Sequence, residues 1–379
     1  MHEGDFVRRI QSLGDRSDEK NLLELDYFLI AILLSLCAIG VLIIYSATGQ
    51  DTFFVKRQLL FIAVGFGLMC IMAHLSPRVW DRWAPFLYVV GIVSLGMVLA
   101  FGVEANGARR WLNFGFTRLQ PSELMKVVVP LMISSYISRN SIPPTFKTIL
   151  VSIMLILLPV LLVINQPDLG TALLIFISGL IVLFLSGIGR SYLISGFILA
   201  LAAIPSLWLF VMRDYQKQRV LTMFNPEQDK LGAGWNIIQS TTAIGSGGWY
   251  GKGWMNGTQS QLNFLPESHT DFIIAVLAEE FGLVGVMVLN CLYLILVGHC
   301  ISISMNSESM FGRLLAASIG FTFFVFVLVN LAMVSGVLPV VGAPLPFISY
   351  GGTAIVTLFA GFGILMSLSN ESKTNRSSN

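Results

Sequence analysis

The chain has 379 residues, of which 55% are hydrophobic and only 12% charged, with a formal net charge of +2. With a mean hydropathy of +0.77, this composition excludes a soluble domain and fits an all-α polytopic membrane protein, since a bilayer core takes about 20 apolar residues per helix. The small net charge says little about partners beyond membrane lipid, and no nucleic acid is expected.

In chain order, residues 1–24 form a polar tail without the pattern of a cleavable signal, and the first apolar run is long enough to span. About ten transmembrane helices are expected near 27–47, 58–75, 84–103, 122–138, 148–165, 169–187, 191–212, 271–300, 313–336 and 347–369. Gly336, Pro339, Pro344 and Pro346 split the uncharged stretch from Leu314 to Asn370 into two spans. The domain reading is therefore a tail at 1–24, a transmembrane domain at 25–369 and a second tail at 370–379. One large loop, 213–270, lies between spans 7 and 8.

Lys and Arg set the orientation. With both termini in the cytoplasm, cytoplasmic segments hold 12 basic residues and outer ones 10. Setting aside the long loop, which weighs little in this rule, leaves 12 against 5. Both tails are then cytoplasmic, and loop 213–270 is extracytoplasmic. So are the 104–121 loop, the Gln166-Pro167-Asp168 turn and the 337–346 connection. The outer face of a cell membrane offers no ATP, so an enzyme there needs an activated substrate, and a lipid-linked pyrophosphate meets that need.

Cys37, Cys70, Cys291 and Cys300 lie in apolar runs without metal-site spacing, and the four histidines are scattered. The first motif block is Gly107-Ala108-Arg109-Arg110-Trp111, followed by Gln120-Pro121-Ser122-Glu123 with Lys126. Pro121, Ser122 and Glu123 suit a helix start. Lys126 lies one turn further on, on the same face as Glu123. It either snorkels to the interface or presents an ammonium to a phosphate, and the residues alone leave both readings open. Trp111 on its own reads as an interfacial belt residue. Asp168 reads as the N-cap of the sixth span.

In loop 213–270, Gly245-Ser246-Gly247-Gly248-Trp249-Tyr250-Gly251-Lys252-Gly253 looks like a phosphate loop but fails the pattern. The required early glycine falls on Ser246, and Gly253 replaces the hydroxyl residue after Lys252. The strongest chemistry is in Leu265-Pro266-Glu267-Ser268-His269-Thr270-Asp271, just before the eighth span. One helix cap needs one residue, and three ionisable groups exceed that need. A carboxylate between water and low dielectric has its pKa raised and becomes a usable base near neutrality. Glu279 and Glu280 follow in the same span, with Glu279 on nearly the face of Asp271 and about 12 Å deeper.

These blocks resemble the SEDS family (shape, elongation, division and sporulation), bacterial peptidoglycan glycosyltransferases. The likeness adds Gly232, Gly234, His269-Thr270-Asp271-Phe272, and a block from Asn330 through Gly342 to Ser349-Tyr350-Gly351-Gly352-Thr353. It covers roughly residues 25–369 and is more similar to the elongation branch than to the division branch. The resemblance implies that lipid II is donor and acceptor, and that β-1,4 glycan forms with release of undecaprenyl pyrophosphate. It implies Asp271 as catalytic base, and Arg109, Trp111, Glu123, Lys126, Asp168, Lys252, Glu267 and His269 as substrate-binding candidates. No cofactor is certain, and a divalent cation (Mg or Mn) beside the pyrophosphate is compatible. A class B penicillin-binding protein is the implied partner, because the one Ser-x-x-Lys match, Ser17 to Lys20, lies in the tail. The alternative is a lipid II flippase. Transporters place polar residues near mid-membrane in broken helices, whereas here charge gathers at the outer lip.

Overall fold

A computed structural model describes residues 25–105, 108–113, 118–229, 232–261, 265 and 267–378. Gly107, Pro266 and the 1–24 tail with Ser17 and Lys20 lie outside the described residues. All ten expected spans are helical: α1 Tyr27–Ala47, α2 Thr52–Ala73, α3 Pro77–Phe101, α4 Pro121–Ser138, α5 Phe146–Asn165 and α6 Leu169–Leu185. After α7 (Arg190–Ser206), the large loop folds as α8 Asp214–Phe224, α9 Ala233–Gly247 and the short α10 Thr258–Gln261. The last spans are α11 Ile273–Asn306, α12 Met310–Val334 and α13 Gly352–Ser378. Among the described residues, eight helices are long and apolar enough to cross a membrane. The other two expected spans are α6, which is short, and α4, which carries Glu123 and Lys126.

Several helices run past the apolar windows because capping, not hydropathy, sets their ends. The Asp51 side chain accepts from Phe53 N and starts α2 ahead of Lys56 and Arg57. Pro77 opens α3 ahead of Arg78, Asp81 and Arg82. A small antiparallel sheet joins α3 to α4, with β1 Val103–Ala105, β2 Ala108–Asn113 and β3 Arg118–Leu119 in the order β1-β2-β3.

One core joins α1, α2, α11, α12 and α13 around Phe323, Phe347, Phe359 and Phe362, and a second joins α3 to α6. α7 has no buried residue and stands away from both.

α11 is broken. Gly282 has φ 67° and ψ −164°, so Ile273–Phe281 and the remainder are two helices meeting at a kink. A break leaves backbone donors and acceptors without helical partners, which is tolerated at membrane depth only where protein satisfies them. The turn after α9 does so. Lys252 N donates to Glu279 O and Gly253 N to Glu280 O, both at 3.0 Å. From the other side of the break, Leu283 N donates to Gly248 O at 2.9 Å and Val284 N to Trp249 O at 3.1 Å. This close approach explains the glycine-rich run that fails as a phosphate loop. Gly251 sits at φ 78°, and a Cβ there would lie 2.1 Å from Glu280 O.

Gly251→Ala is therefore expected to destabilise the fold by about 2–4 kcal/mol, from a strained backbone plus a clash. Gly245→Ala, with nothing within 4 Å of the added Cβ, should cost nothing measurable. Thermal unfolding of both purified variants in detergent checks the pair.

Candidate active site

The connections at one end of the bundle meet around the turn that precedes α11. Glu267 has φ 55° and its carbonyl accepts from Thr270 N at 3.1 Å and Phe272 N at 3.3 Å, so residues 267–272 form a tight turn. Three elements hold it. From α12, Asn330 Nδ2 donates to Asp271 O at 2.9 Å and to Ala343 O at 2.7 Å. From the connection after α12, Ser349 Oγ donates to Thr270 O at 2.6 Å and Tyr350 N to His269 O at 2.9 Å. From the side of α1, Ser268 Oγ donates to Ala47 O at 3.2 Å.

Asp271 is half-buried. Its pKa is raised to about 6, chiefly by burial and then by the Glu267 carboxylate, while Arg219 and Arg110 oppose the rise and Asp168 adds to it. A Cβ on Gly342, at φ 70°, would lie 3.4 Å from Asp271 Oδ2, so this glycine keeps the carboxylate accessible.

Asp168 caps α6 by accepting from Thr171 N at 3.2 Å, as its position predicts. It also pairs with Arg110, Nε to Oδ2 at 3.5 Å, and Arg110 Nη2 donates to Pro167 O at 3.0 Å. Tyr215 OH, from α8, donates to the same carbonyl at 2.7 Å. Arg219, one turn further along α8, donates to Val340 O at 2.9 Å. The 166–168 turn, α8 and the 337–346 connection thus form one frame, whose guanidinium groups are near enough to pull the Asp271 pKa down.

The structure brings together Asp271, Glu267 and Asp168 from the expected set and adds Arg110 and Arg219. β2 is irregular at Arg110, the extra residue between two successive pairings with β1, and this bulge aims its side chain at Asp168. On either side of it, Arg109 pairs in register with Glu104 and Trp111 with Val103. Arg110 stood in the sequence only as a member of the Gly107–Trp111 block, from which the resemblance drew Arg109. Arg219 was visible only within the basic-aromatic start of the large loop.

His269 packs against Phe54 and Tyr350, with ring centroids 5.0 and 5.9 Å away. Its pKa is lowered, mainly by burial, with Glu267 pulling the other way. It is a packed ring beside the turn. Glu267 itself is exposed, and its Oε2 accepts from Thr270 Oγ1 at 2.6 Å.

Lys126 and Glu123 form the expected pair at 2.7 Å, with side chains only 8% and 10% exposed. The ammonium also lies 5.0 Å from the Phe326 ring centroid. Both line a groove between α4, α12 and α13, whose wall includes Pro344, Leu345 and Ser349. Since Ser349 also holds Thr270 O, the groove and the Asp271 turn share a wall. A snorkelling lysine reaches outward to water; this one is held inside by Glu123 and an aromatic face.

Two expected neighbours do not reach this group. Lys252 is bound to Glu279 at 2.8 Å. Glu279 faces α10 rather than Asp271, because the half-helix packs on the turn after α9. Among the described residues, no group of three or more His, Cys, Asp or Glu side chains is placed to hold a metal ion.

Residues 27–374 match the family model for the FtsW, RodA and SpoVE cell cycle proteins. The chain belongs to this family. The chain is 51% identical to the peptidoglycan glycosyltransferase MrdB of Escherichia coli K12, over 92% of this chain and 94% of that one. It is 35% identical to a probable peptidoglycan glycosyltransferase FtsW of Trichlorobacter lovleyi, with the same shares covered. Among solved structures, a chain of a peptidoglycan synthase complex that coordinates polymerization and crosslinking superposes with TM-score 0.82. It has 30% identity and covers 92% of this chain and 99% of its own. The Thermus thermophilus rod shape determining protein RodA superposes with TM-score 0.70 at 28% identity, covering 93% of this chain and 98% of that one. A SEDS-type, multi-pass helical membrane protein is therefore the identity of this fold.

Proposed function

We propose that the protein is a peptidoglycan glycosyltransferase that polymerises lipid II into β-1,4 glycan at the outer face of the cytoplasmic membrane during cell elongation. The observation that carries this reading is the Asp271 carboxylate, half-buried, raised to about 6 and restrained by Arg110 and Arg219. Turning an α-linked sugar pyrophosphate into a β-glycoside takes one in-line displacement. The acceptor 4-hydroxyl attacks the anomeric carbon of the donor, Asp271 takes the hydroxyl proton, and undecaprenyl pyrophosphate leaves with the bonding electrons. Such a leaving group needs cations rather than a proton, unlike the oxygen freed by a glycosidase. A base with a pKa near 6 is ionised at neutral pH and is more basic than an ordinary aspartate.

Lys126, held by Glu123, supplies a fixed charge in the groove beside this turn, and the groove's apolar walls suit the lipid portion of the substrate. Arg110 and Arg219 join Arg109, the candidate that the resemblance implies, as cations for the pyrophosphate. A magnesium or manganese ion bound with the pyrophosphate would be compatible with this scheme and would neutralise part of its charge. The partner is a class B penicillin-binding protein, supported by the similarity to a chain of a polymerising and crosslinking complex.

One observation favours a transporter instead: α11 is broken, as transporter helices are. In transporters the freed backbone groups serve substrate or ion. Here Lys252 N, Gly253 N, Gly248 O and Trp249 O occupy them. The break is a structural joint, and the enzyme reading stands.

The orientation puts residues 213–270 outside and both termini in the cytoplasm. In a cysteine-free background, a cysteine at Gln228 should react with an impermeant thiol reagent on intact cells, and one at Ser377 should not. The reverse pattern would place the chemistry on the wrong side for this function.

Asp271→Asn keeps shape and hydrogen-bonding capacity but removes the base. Purified enzyme with this change should polymerise lipid II about 10²–10⁴-fold more slowly, with lipid II binding and thermal stability kept. Rates close to those of the unaltered enzyme would end the proposed role of Asp271.

A further inference from the structure

The half-helix Ile273–Phe281, which follows directly from Asp271, is gripped at its far end by a buried ion pair. Glu279 is fully buried. Its Oε1 accepts from Lys252 Nζ at 2.8 Å, Thr258 N at 2.8 Å, Thr258 Oγ1 at 3.0 Å and Gln259 N at 3.0 Å. Lys252 Nζ also donates to Thr258 Oγ1 at 2.7 Å. The main chain repeats the link, with Lys252 N on Glu279 O at 3.0 Å. The next residue, Glu280, accepts from Ser46 Oγ and so ties the same segment to α1. A carboxylate this deep and this fully bound is committed to its partners, because losing one leaves a charge uncompensated in low dielectric.

The location gives the pair its significance. Glu279 stands three residues before Gly282, where the helical ladder is interrupted. The orientation of Ile273–Phe281 is therefore not inherited from the rest of α11 and is set by what grips it from outside. The hydrogen bonds to the Asp271, Thr270 and His269 carbonyls hold its start, and packing supplies part of the grip, since residues 272–280 are all buried. Packing of apolar groups is weakly directional, whereas an ion pair with three further hydrogen bonds fixes one register.

We propose that Lys252 and Glu279 are positioning residues that fix the half-helix Ile273–Phe281 and, through it, the place of Asp271. The proposal rests on Asp271 being the base. Lys252 then acts through Glu279 and does not touch a phosphate. Misplacing a reacting group by about 1 Å costs on the order of 100-fold in rate, so the clasp should be read in kcat rather than in KM.

A covalent clasp tests this directly. Lys252 N on Glu279 O at 3.0 Å brings the two residues into the range of about 4.4–6.8 Å between Cα atoms that a disulfide spans. In the full-length enzyme with Cys37, Cys70, Cys291 and Cys300 replaced, Lys252→Cys and Glu279→Cys are introduced together. Oxidised protein should polymerise lipid II, and reduction should lower kcat by about 100-fold with KM within about twofold. Reoxidation should restore the rate. Equal kcat in both states, inactivity in both states, or a loss confined to KM would each overturn the proposal.

Should the cysteine pair not fold, Glu279→Gln is compared with Glu279→Gln/Lys252→Met. A lysine that acts only through Glu279 gives the two the same kcat, while a further loss or a raised KM in the double variant means that Lys252 binds substrate. Asp271→Asn in the same assay separates the two claims. An active Asp271→Asn removes the base reading, whereas an inactive one with a redox-insensitive cysteine pair removes only the clasp.

Discussion

The place of Asp271 depends on backbone hydrogen bonds to the turn that carries it. Asn330 holds the Asp271 carbonyl from α12, and Ser349 and Tyr350 hold the carbonyls of Thr270 and His269. These partners come from the end of α12 and the connection after it, residues far along the chain from the turn. Fixing the main chain leaves the carboxylate itself free of a committed side-chain partner among the described contacts, which is what a proton acceptor requires. The same connection lines the groove holding Lys126 and receives Arg219 at Val340 O. One irregular segment thus sets the base, the groove wall and a guanidinium in a common frame.

Charge in this frame is arranged by opposition. Burial and the neighbouring carboxylates of Glu267 and Asp168 raise Asp271, while Arg219 and Arg110 restrain it. The net result is a carboxylate that is ionised at neutral pH yet more basic than an ordinary aspartate. Asp168 also holds Arg110 in place at 3.5 Å.

The ten spans were legible because hydropathy reports which helices meet lipid. Their ends were not, since Asp51 and Pro77 start α2 and α3 outside the apolar windows. The cluster at 267–271 was legible because three ionisable groups exceed the need of one helix cap. The place of Arg110 was not, because it depends on a bulge in a short strand that hydropathy does not reveal. The large loop read as a single polar segment, yet it folds as three helices. Its glycines serve the break at Gly282, a tertiary contact between segments some 30 residues apart. Lys252 and Glu279 both stood out as charges, and their pairing became visible only when the loop and the half-helix were placed together.

The central claim is that Asp271 acts as a base whose pKa the fold has raised, and a pH–rate profile reads that pKa in the free enzyme. The measurement is kcat/KM for lipid II polymerisation between about pH 4.5 and 8.5, for the unaltered enzyme and for Glu267→Gln. A base must be ionised to act, so activity should fall as pH drops through about 6, the value to which Asp271 is raised. Removing the Glu267 charge should move that acid limb to lower pH, because one of the influences that raise Asp271 is gone. An acid limb near the ordinary aspartate value, unmoved by Glu267→Gln, would contradict the account.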